Sequence, residues 1–249
     1  MSLSFIDRPS PNHNERQRPI SLLIMHYTDM ADVEAALSRL CDPACEVSAH
    51  YLIDKQGRIY RLVDESRRAW HAGVSCWQGE RDVNSASIGI ELDHAGHNHA
   101  GHDANRTMAA FPAAQMAALT ALAGDIIARH GILPANVLGH SDVAPGRKID
   151  PGEAFDWQAL AAAGIGLWPD DLPIENVGAL RLGDEGPAVN ALRQTLAAYG
   201  YDIAVSGGFD ATMEAVICAF QRHFRPQKID GIADAQTRTL IYAVCRKRG

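Results

Sequence analysis

The chain has 249 residues, 47% hydrophobic and 21% charged, an ordinary soluble globular composition long enough for one large domain or two smaller ones. A formal net charge of −7 argues against nucleic acid as a partner. No apolar run approaches the roughly 18 residues of a membrane span, so none is expected.

The first residues, MSLSFIDRPSPNHNERQRP, are polar and proline-rich without an apolar core, so they do not read as a secretory signal. The expectation is a cytoplasmic protein, or one of the periplasm or cell envelope if a leader precedes this sequence. Cys41, Cys45, Cys76, Cys218 and Cys245 form no framework. Cys41 and Cys45 are close enough in sequence to bridge or to hold metal, but free thiols in a reducing compartment are the simpler reading.

Residues 1–19 read as an extended arm, and Ile20 to Tyr27 as a buried strand ending in His26-Tyr27. Val33, Ala36, Leu37 and Leu40 recur at helical spacing. Ser48–Asp54 and Ile59–Val63 flank a KQGR turn and predict a β-hairpin centred on Gln56-Gly57. AWHAG (Ala69–Gly73) follows, then a polar loop to Asn84. Ser87–Asp93, SIGIELD, is another strand, whose two-residue period puts Gly89, Glu91 and Asp93 on one face and Ile88, Ile90 and Leu92 on the other. A carboxylate there is costly to bury unpaired, so Glu91 faces either a cleft or solvent.

His94, His97, His99 and His102 come next, spaced by glycine and alanine. Nothing in such a segment fixes ligand geometry, so it reads as a loop insertion rather than a metal site. Pro112 to His130 predicts a long helix with a stripe of Met116, Leu119, Leu122, Ala123, Ile126 and Ile127, stopped by Gly131. Phe155–Ala163 is a short helix closed by Gly164, and the proline- and acid-rich stretch 169–179 is a linker. Beyond it, 180–201, 209–224 (capped by Asp210) and 229–244 each contain one helix. That small bundle has no clustered histidines and reads as a binding or packing module.

Residues 139–152, GHSDVAPGRKIDPG, hold the chemistry. A short apolar strand runs into His140, and Pro145-Gly146 forces a turn that can bring Asp150 back beside it. Imidazole nitrogen and carboxylate oxygen suit Zn²⁺ at about 2.0–2.2 Å, and His26 at the end of another strand supplies a third ligand. Three protein ligands leave one position open for water, the pattern of a catalytic rather than a structural zinc.

SLLIMHYT, SAHYLID, AWHAGVS, SIGIELD and GHSDVAPGRKIDPG, in this order, resemble the zinc-dependent N-acetylmuramoyl-L-alanine amidases of the type 2 family, relatives of phage lysozyme-like amidases and peptidoglycan-recognition proteins. LRLGDEGPAVNALRQTL, FDATMEAVICAFQ and DGIADAQT resemble the first type of peptidoglycan-binding domain. The resemblance implies that His26, His140 and Asp150 bind one Zn²⁺. It makes Glu91 the catalytic acid/base and Lys148 the basic residue two positions before the metal aspartate. The alternative for Lys148 is a solvated loop lysine. The same resemblance puts His71 on the substrate cleft, and with it Trp70 and His50. Some branches have a tyrosine where Ala49 stands here, which leaves the acid/base role to Glu91 alone.

The expected architecture is α/β (α+β): a catalytic unit over 1–168 with a central mixed β-sheet flanked by helices, then a three-helix bundle over 180–249. The expected activity is hydrolysis of the amide between the lactyl group of N-acetylmuramic acid and L-alanine, in peptidoglycan or 1,6-anhydro-muropeptides. A monomer is expected. The competing reading is a recognition module that grips muropeptides without cutting them.

Overall fold

The computed structural model describes residues 3–97, 108–170, 173–174 and 177–248. Its strands are β1 (Phe5–Asp7), β2 (His13–Glu15), β3 (Leu22–Tyr27), β4 (Tyr51–Ile53), β5 (Ile59–Arg61), β6 (Arg67–Ala69), β7 (Ser87–Leu92) and β8 (Val137–Gly139). The α-helices are α1 (Val33–Cys41), α2 (Val83–Ala86), α3 (Ala113–His130), α4 (His140–Val143), α5 (Trp157–Ala162), α6 (Pro187–Tyr199), α7 (Ala211–Phe224) and α8 (Ala235–Lys247). The main sheet runs β1-β5-β4-β7-β3-β8 and is mixed, with β4, β7, β3 and β8 mutually parallel and β4–β5 the antiparallel hairpin. Every residue of β3 is buried, as expected of a parallel strand covered on both faces.

Alternation along β3 and β7 sorts the core into two layers. Leu23, Met25, Ile88 and Ile90 pack against Leu119, Leu122 and Ile126 of α3, which Gly131 ends in a left-handed conformation (φ 65°). On the opposite face, Leu22 and Ile24 share one continuous apolar cluster with Leu138, Val143, Leu192, Val216 and Phe220. The C-terminal helices therefore cover part of the sheet. Trp77 fills the junction, set edge-on to Tyr199 and Tyr201 at ring-centroid distances of 5.4 and 5.2 Å. Gly200 lies over it at φ 141°, and a Cβ there would stand 2.7 Å from the indole, so only glycine fits.

The N-terminal stretch expected as an extended arm holds two extended strands, but these are docked rather than projecting: β1 pairs in parallel with β5 and β2 pairs antiparallel with β6, which satisfies backbone groups a loose segment would leave to water. One local expectation needs correcting: His140 is not the last residue of a strand but the first of α4. All five cysteines are unpaired. No helix among the described residues is long and apolar enough to cross a membrane.

Candidate metal centre and cleft

Strand register assembles the site. His26 on β3 stands opposite Glu91 on β7, and Met25 opposite Gly139 on β8, so His140 emerges beside both. The site thus lies at the C-terminal ends of parallel strands, where open α/β sheets place their ligand crevices. Asp150 returns from the 144–149 turn, and the Ser141 amide holds its carbonyl at 2.9 Å. His26 Nδ1, His140 Nδ1 and Asp150 Oδ2 converge, mutually 2.9–3.0 Å apart.

Hydrogen bonds behind the rings decide which nitrogen faces that point. His140 Nε2 lies 2.9 Å from the Ala72 carbonyl, which can only accept, so Nε2 carries the proton and Nδ1 presents a lone pair. For His26 the chain is longer. The Ser87 hydroxyl donates its one proton to the Val83 carbonyl, so its oxygen accepts from His71 Nε2 at 3.2 Å. His71 Nδ1 then accepts from His26 Nε2 at 3.0 Å, which leaves His26 Nδ1 bare. Two lone pairs and a carboxylate oxygen at such distances repel one another unless a cation lies between them. The donor set thus fits a divalent metal that accepts nitrogen and oxygen, and orientation of ligating histidines by their second nitrogen is usual at such sites.

Electrostatics agree with that fit. Burial, with His140 beside it, lowers His26 to about 4, and burial among His26, His50 and His140 holds His71 well below the ordinary histidine value. Neutral imidazoles and an ionised carboxylate are the forms that bind metal.

The cleft has a volume of about 450 Å³ and is walled by His26, Trp70, His71, Glu91, His140, Lys148 and Asp150, with Tyr27, Asp29 and Arg39 among the rest. Glu91 is partly buried, and its Oε2 is enclosed without a hydrogen-bond partner. Burial and the nearby Asp150 raise its pKa well above the usual glutamate value, with Lys148 pulling it back. Ser87, Gly89 and Glu91 share one face of β7. The serine holds His71, the glycine admits its ring (a Cβ there would lie 2.5 Å from it), and the carboxylate meets the cleft. Sequence reading missed Ser87, although the alternation that turned Glu91 toward a cleft applies equally to it.

His50 is not on the cleft. It is fully buried, its Nδ1 accepts from the Gly89 amide at 3.0 Å and its Nε2 faces the Arg67 carbonyl at 3.2 Å, so it ties β7 to the hairpin. Trp70 lines the cleft and donates from Nε1 to Asn14 at 3.0 Å. The Lys148 amide donates to the Ala144 carbonyl at 3.0 Å, but no hydrogen bond or ion pair among the described residues engages its ammonium, whereas its neighbour Arg147 clamps the Ala72 and Val74 carbonyls. Of the histidine-rich segment, His94 stacks on Phe111 and His97 pairs with Glu153 at 3.1 Å. His99 and His102 lie outside the described residues.

A family model for N-acetylmuramoyl-L-alanine amidase matches residues 16–153, and one for a peptidoglycan binding domain matches residues 185–241. The chain is 42% identical to the N-acetylmuramoyl-L-alanine amidase AmiD of Escherichia coli (strain K12), over 92% of this chain and 84% of that relative. It is 34% identical to the 1,6-anhydro-N-acetylmuramyl-L-alanine amidase AmpD of Enterobacter cloacae, over 62% of this chain and 87% of AmpD. The solved complex of E. coli AmiD with the substrate anhydro-N-acetylmuramic acid-L-Ala-D-gamma-Glu-L-Lys superimposes with a TM-score of 0.79 at 40% identity, covering 96% of this chain and 90% of that one. AMPDH3 of Pseudomonas aeruginosa in complex with anhydromuramic pentapeptide gives 0.77 at 34% identity, covering 92% of each chain.

Proposed function

The chain belongs to the N-acetylmuramoyl-L-alanine amidase family, and from that premise we propose which of its residues perform the reaction and on what. It is an enzyme that hydrolyses the amide joining the lactyl group of N-acetylmuramic acid to L-alanine. The observation that carries the residue assignment is the convergence of two bare imidazole nitrogens and a carboxylate beside an unpartnered glutamate oxygen.

His26 Nδ1, His140 Nδ1 and Asp150 Oδ2 would hold one Zn²⁺, whose mixed nitrogen and oxygen preference they match. When bound, that ion supplies Lewis acidity that makes water acidic enough to serve as a nucleophile near neutral pH. Glu91 Oε2 accepts the proton of the attacking water and returns it to the alanine nitrogen as the C–N bond breaks. The hydroxyl ends on the lactyl carbonyl carbon and the proton on the departing amine. A raised glutamate pKa suits both halves of that transfer, because the carboxyl must take a proton and give it up near the working pH. The Lys148 ammonium, facing the cleft without a fixed partner, stabilises negative charge developing on the carbonyl oxygen. Trp70 offers an aromatic wall to the muramyl peptide, while His71 acts behind His26, keeping the proton on His26 Nε2.

Anhydro-muropeptides are the expected small substrates, by similarity to the two relatives solved with such ligands, and the peptidoglycan-binding part extends the range to the polymer. The test compares peptide release from a soluble anhydro-muramyl tripeptide and from insoluble sacculi, each with and without chelator, with Glu91→Ala as control. Chelator-sensitive release abolished by Glu91→Ala is expected. The preferred substrate then chooses between wall remodelling, for the polymer, and recycling, for the fragment. Tight muropeptide binding with no release would instead support the recognition module.

A further inference from the structure

The C-terminal helices reach the metal centre through a buried carboxylate that the reaction does not use. Asp142 lies on α4, two residues after His140, and is 1% exposed. Its Oδ2 accepts from the Gly139 amide and from His223 Nδ1, both at 2.8 Å, and its Oδ1 accepts from the Tyr201 hydroxyl at 3.0 Å. Tyr201 follows α6 and His223 lies on α7, so two of these three donors come from the C-terminal unit. Both donors are themselves fixed. The His223 ring stacks on Trp157 at 3.8 Å and 17°, and the Tyr201 ring stands edge-on to Trp77.

What these contacts hold is short. α4 spans 4 residues, a single turn, and an isolated turn has little stability of its own. Yet it bears His140 at its first position, and its Ser141 amide holds the Asp150 carbonyl. Two of the three donors that face the metal position are therefore set by one helical turn, and that turn is anchored by its third residue to α7 and to the segment after α6. A carboxylate held from three sides defines both the rotation and the height of the turn.

We propose that Tyr201 and His223 are positioning residues for the metal site, holding His140 and Asp150 in register through Asp142. The C-terminal unit is then a working part of the metal centre as well as a peptidoglycan-binding element. The inference rests on the metal-binding reading above.

The test uses the full chain. The Zn²⁺ dissociation constant is measured by competition with a chromogenic chelator, alongside the absorption spectrum of the Co²⁺-loaded protein and the thermal midpoint without metal. Tyr201→Phe deletes one hydroxyl, and His223→Phe keeps the stacking on Trp157 but removes the donor. Ile241→Ala opens the C-terminal core on α8 and controls for general loss of stability. The double variant is expected to bind Zn²⁺ about 10–100-fold more weakly, the range seen when outer partners of ligands are removed, with an altered Co²⁺ spectrum. Ile241→Ala is expected to lower the midpoint and leave Zn²⁺ affinity unchanged. His223→Gln, which retains an N–H donor, should recover part of the loss. If the double variant does not fold, Tyr201→Phe alone is read the same way, with a loss at the lower end of that range. A folded variant that binds Zn²⁺ as tightly as wild type overturns the positioning role while leaving the metal site standing. So does an equal loss of affinity in Ile241→Ala. A wild-type chain that binds no Zn²⁺ overturns both readings.

Discussion

Buried polar side chains occur in both parts of this molecule, and two of those in the C-terminal unit, Arg193 and Gln221, are bonded in a way that the groups of the cleft are not. In the C-terminal unit, Arg193 is 2% exposed and spends its guanidinium on the Gly208 and Ala204 carbonyls and Asp210. Gln221 donates to Asp230 and the Ile232 carbonyl and accepts from the Asp230 and Gly231 amides. Each closes a loop that no apolar contact could hold. In the cleft, by contrast, two imidazole nitrogens and a carboxylate point at one position, and Glu91 Oε2 has no partner. Groups of the first kind contribute to stability. Those of the second kind cost stability and are kept for chemistry.

The sharpest way to break this contrast is Glu91→Gln. Hydrolysis should fall by about 10²–10⁴-fold, the usual worth of a general acid/base, while the thermal midpoint stays level or rises because an unpaired buried carboxyl is gone. Steady-state rates beside a melting curve decide it, and a large drop in midpoint would make Glu91 a structural residue. Ser87→Ala probes the boundary between the two kinds of group. Without its hydroxyl, His71 no longer keeps the proton on His26 Nε2, and chelator competition should show metal affinity weakened by about 10-fold or more. Gln221→Ala should give the opposite signature. Denaturant unfolding should lose about 1–3 kcal/mol for stranded amides, with Zn²⁺ affinity unchanged.

The smallest effect is on pH dependence. Burial would raise Glu65, but hydrogen bonds from Arg129, His130 and Tyr51 outweigh it and bring the carboxyl down from 4.5 to about 2. Its folded value is the lower one, so its stabilisation is complete above about pH 4.5 and is lost as pH falls toward about 2. Thermal midpoints followed through that window should drop less steeply in Glu65→Gln than in wild type.

Much of the cleft was legible because a polar residue inside a run of buried apolar ones stands out. His26 closes SLLIM and Glu91 interrupts SIGI, and the parallel register then sets them side by side. The reading failed where function depends on contacts between distant segments. His50 carries the same kind of signal as His26, at the edge of an apolar strand, yet its ring is used to bond the Gly89 amide. The pairing of β1 with β5 spans more than fifty residues and has no local signature. Asp142 meets Tyr201 and His223 across separations of 59 and 81, and nothing in DVAP or QRHF marks either partner. The C-terminal bundle was readable as helices, but not as a cover for the sheet, because each apolar stripe looks the same whether it faces its own unit or another.

The most direct measurement is a Zn²⁺ titration of the metal-stripped protein, following peptide release from an anhydro-muramyl tripeptide. The account predicts no release at the start and a linear rise to a plateau at one equivalent, with His26→Ala, His140→Ala and Asp150→Ala each failing to reach it. Full release by the stripped protein, or a plateau that those variants share with wild type, would contradict it.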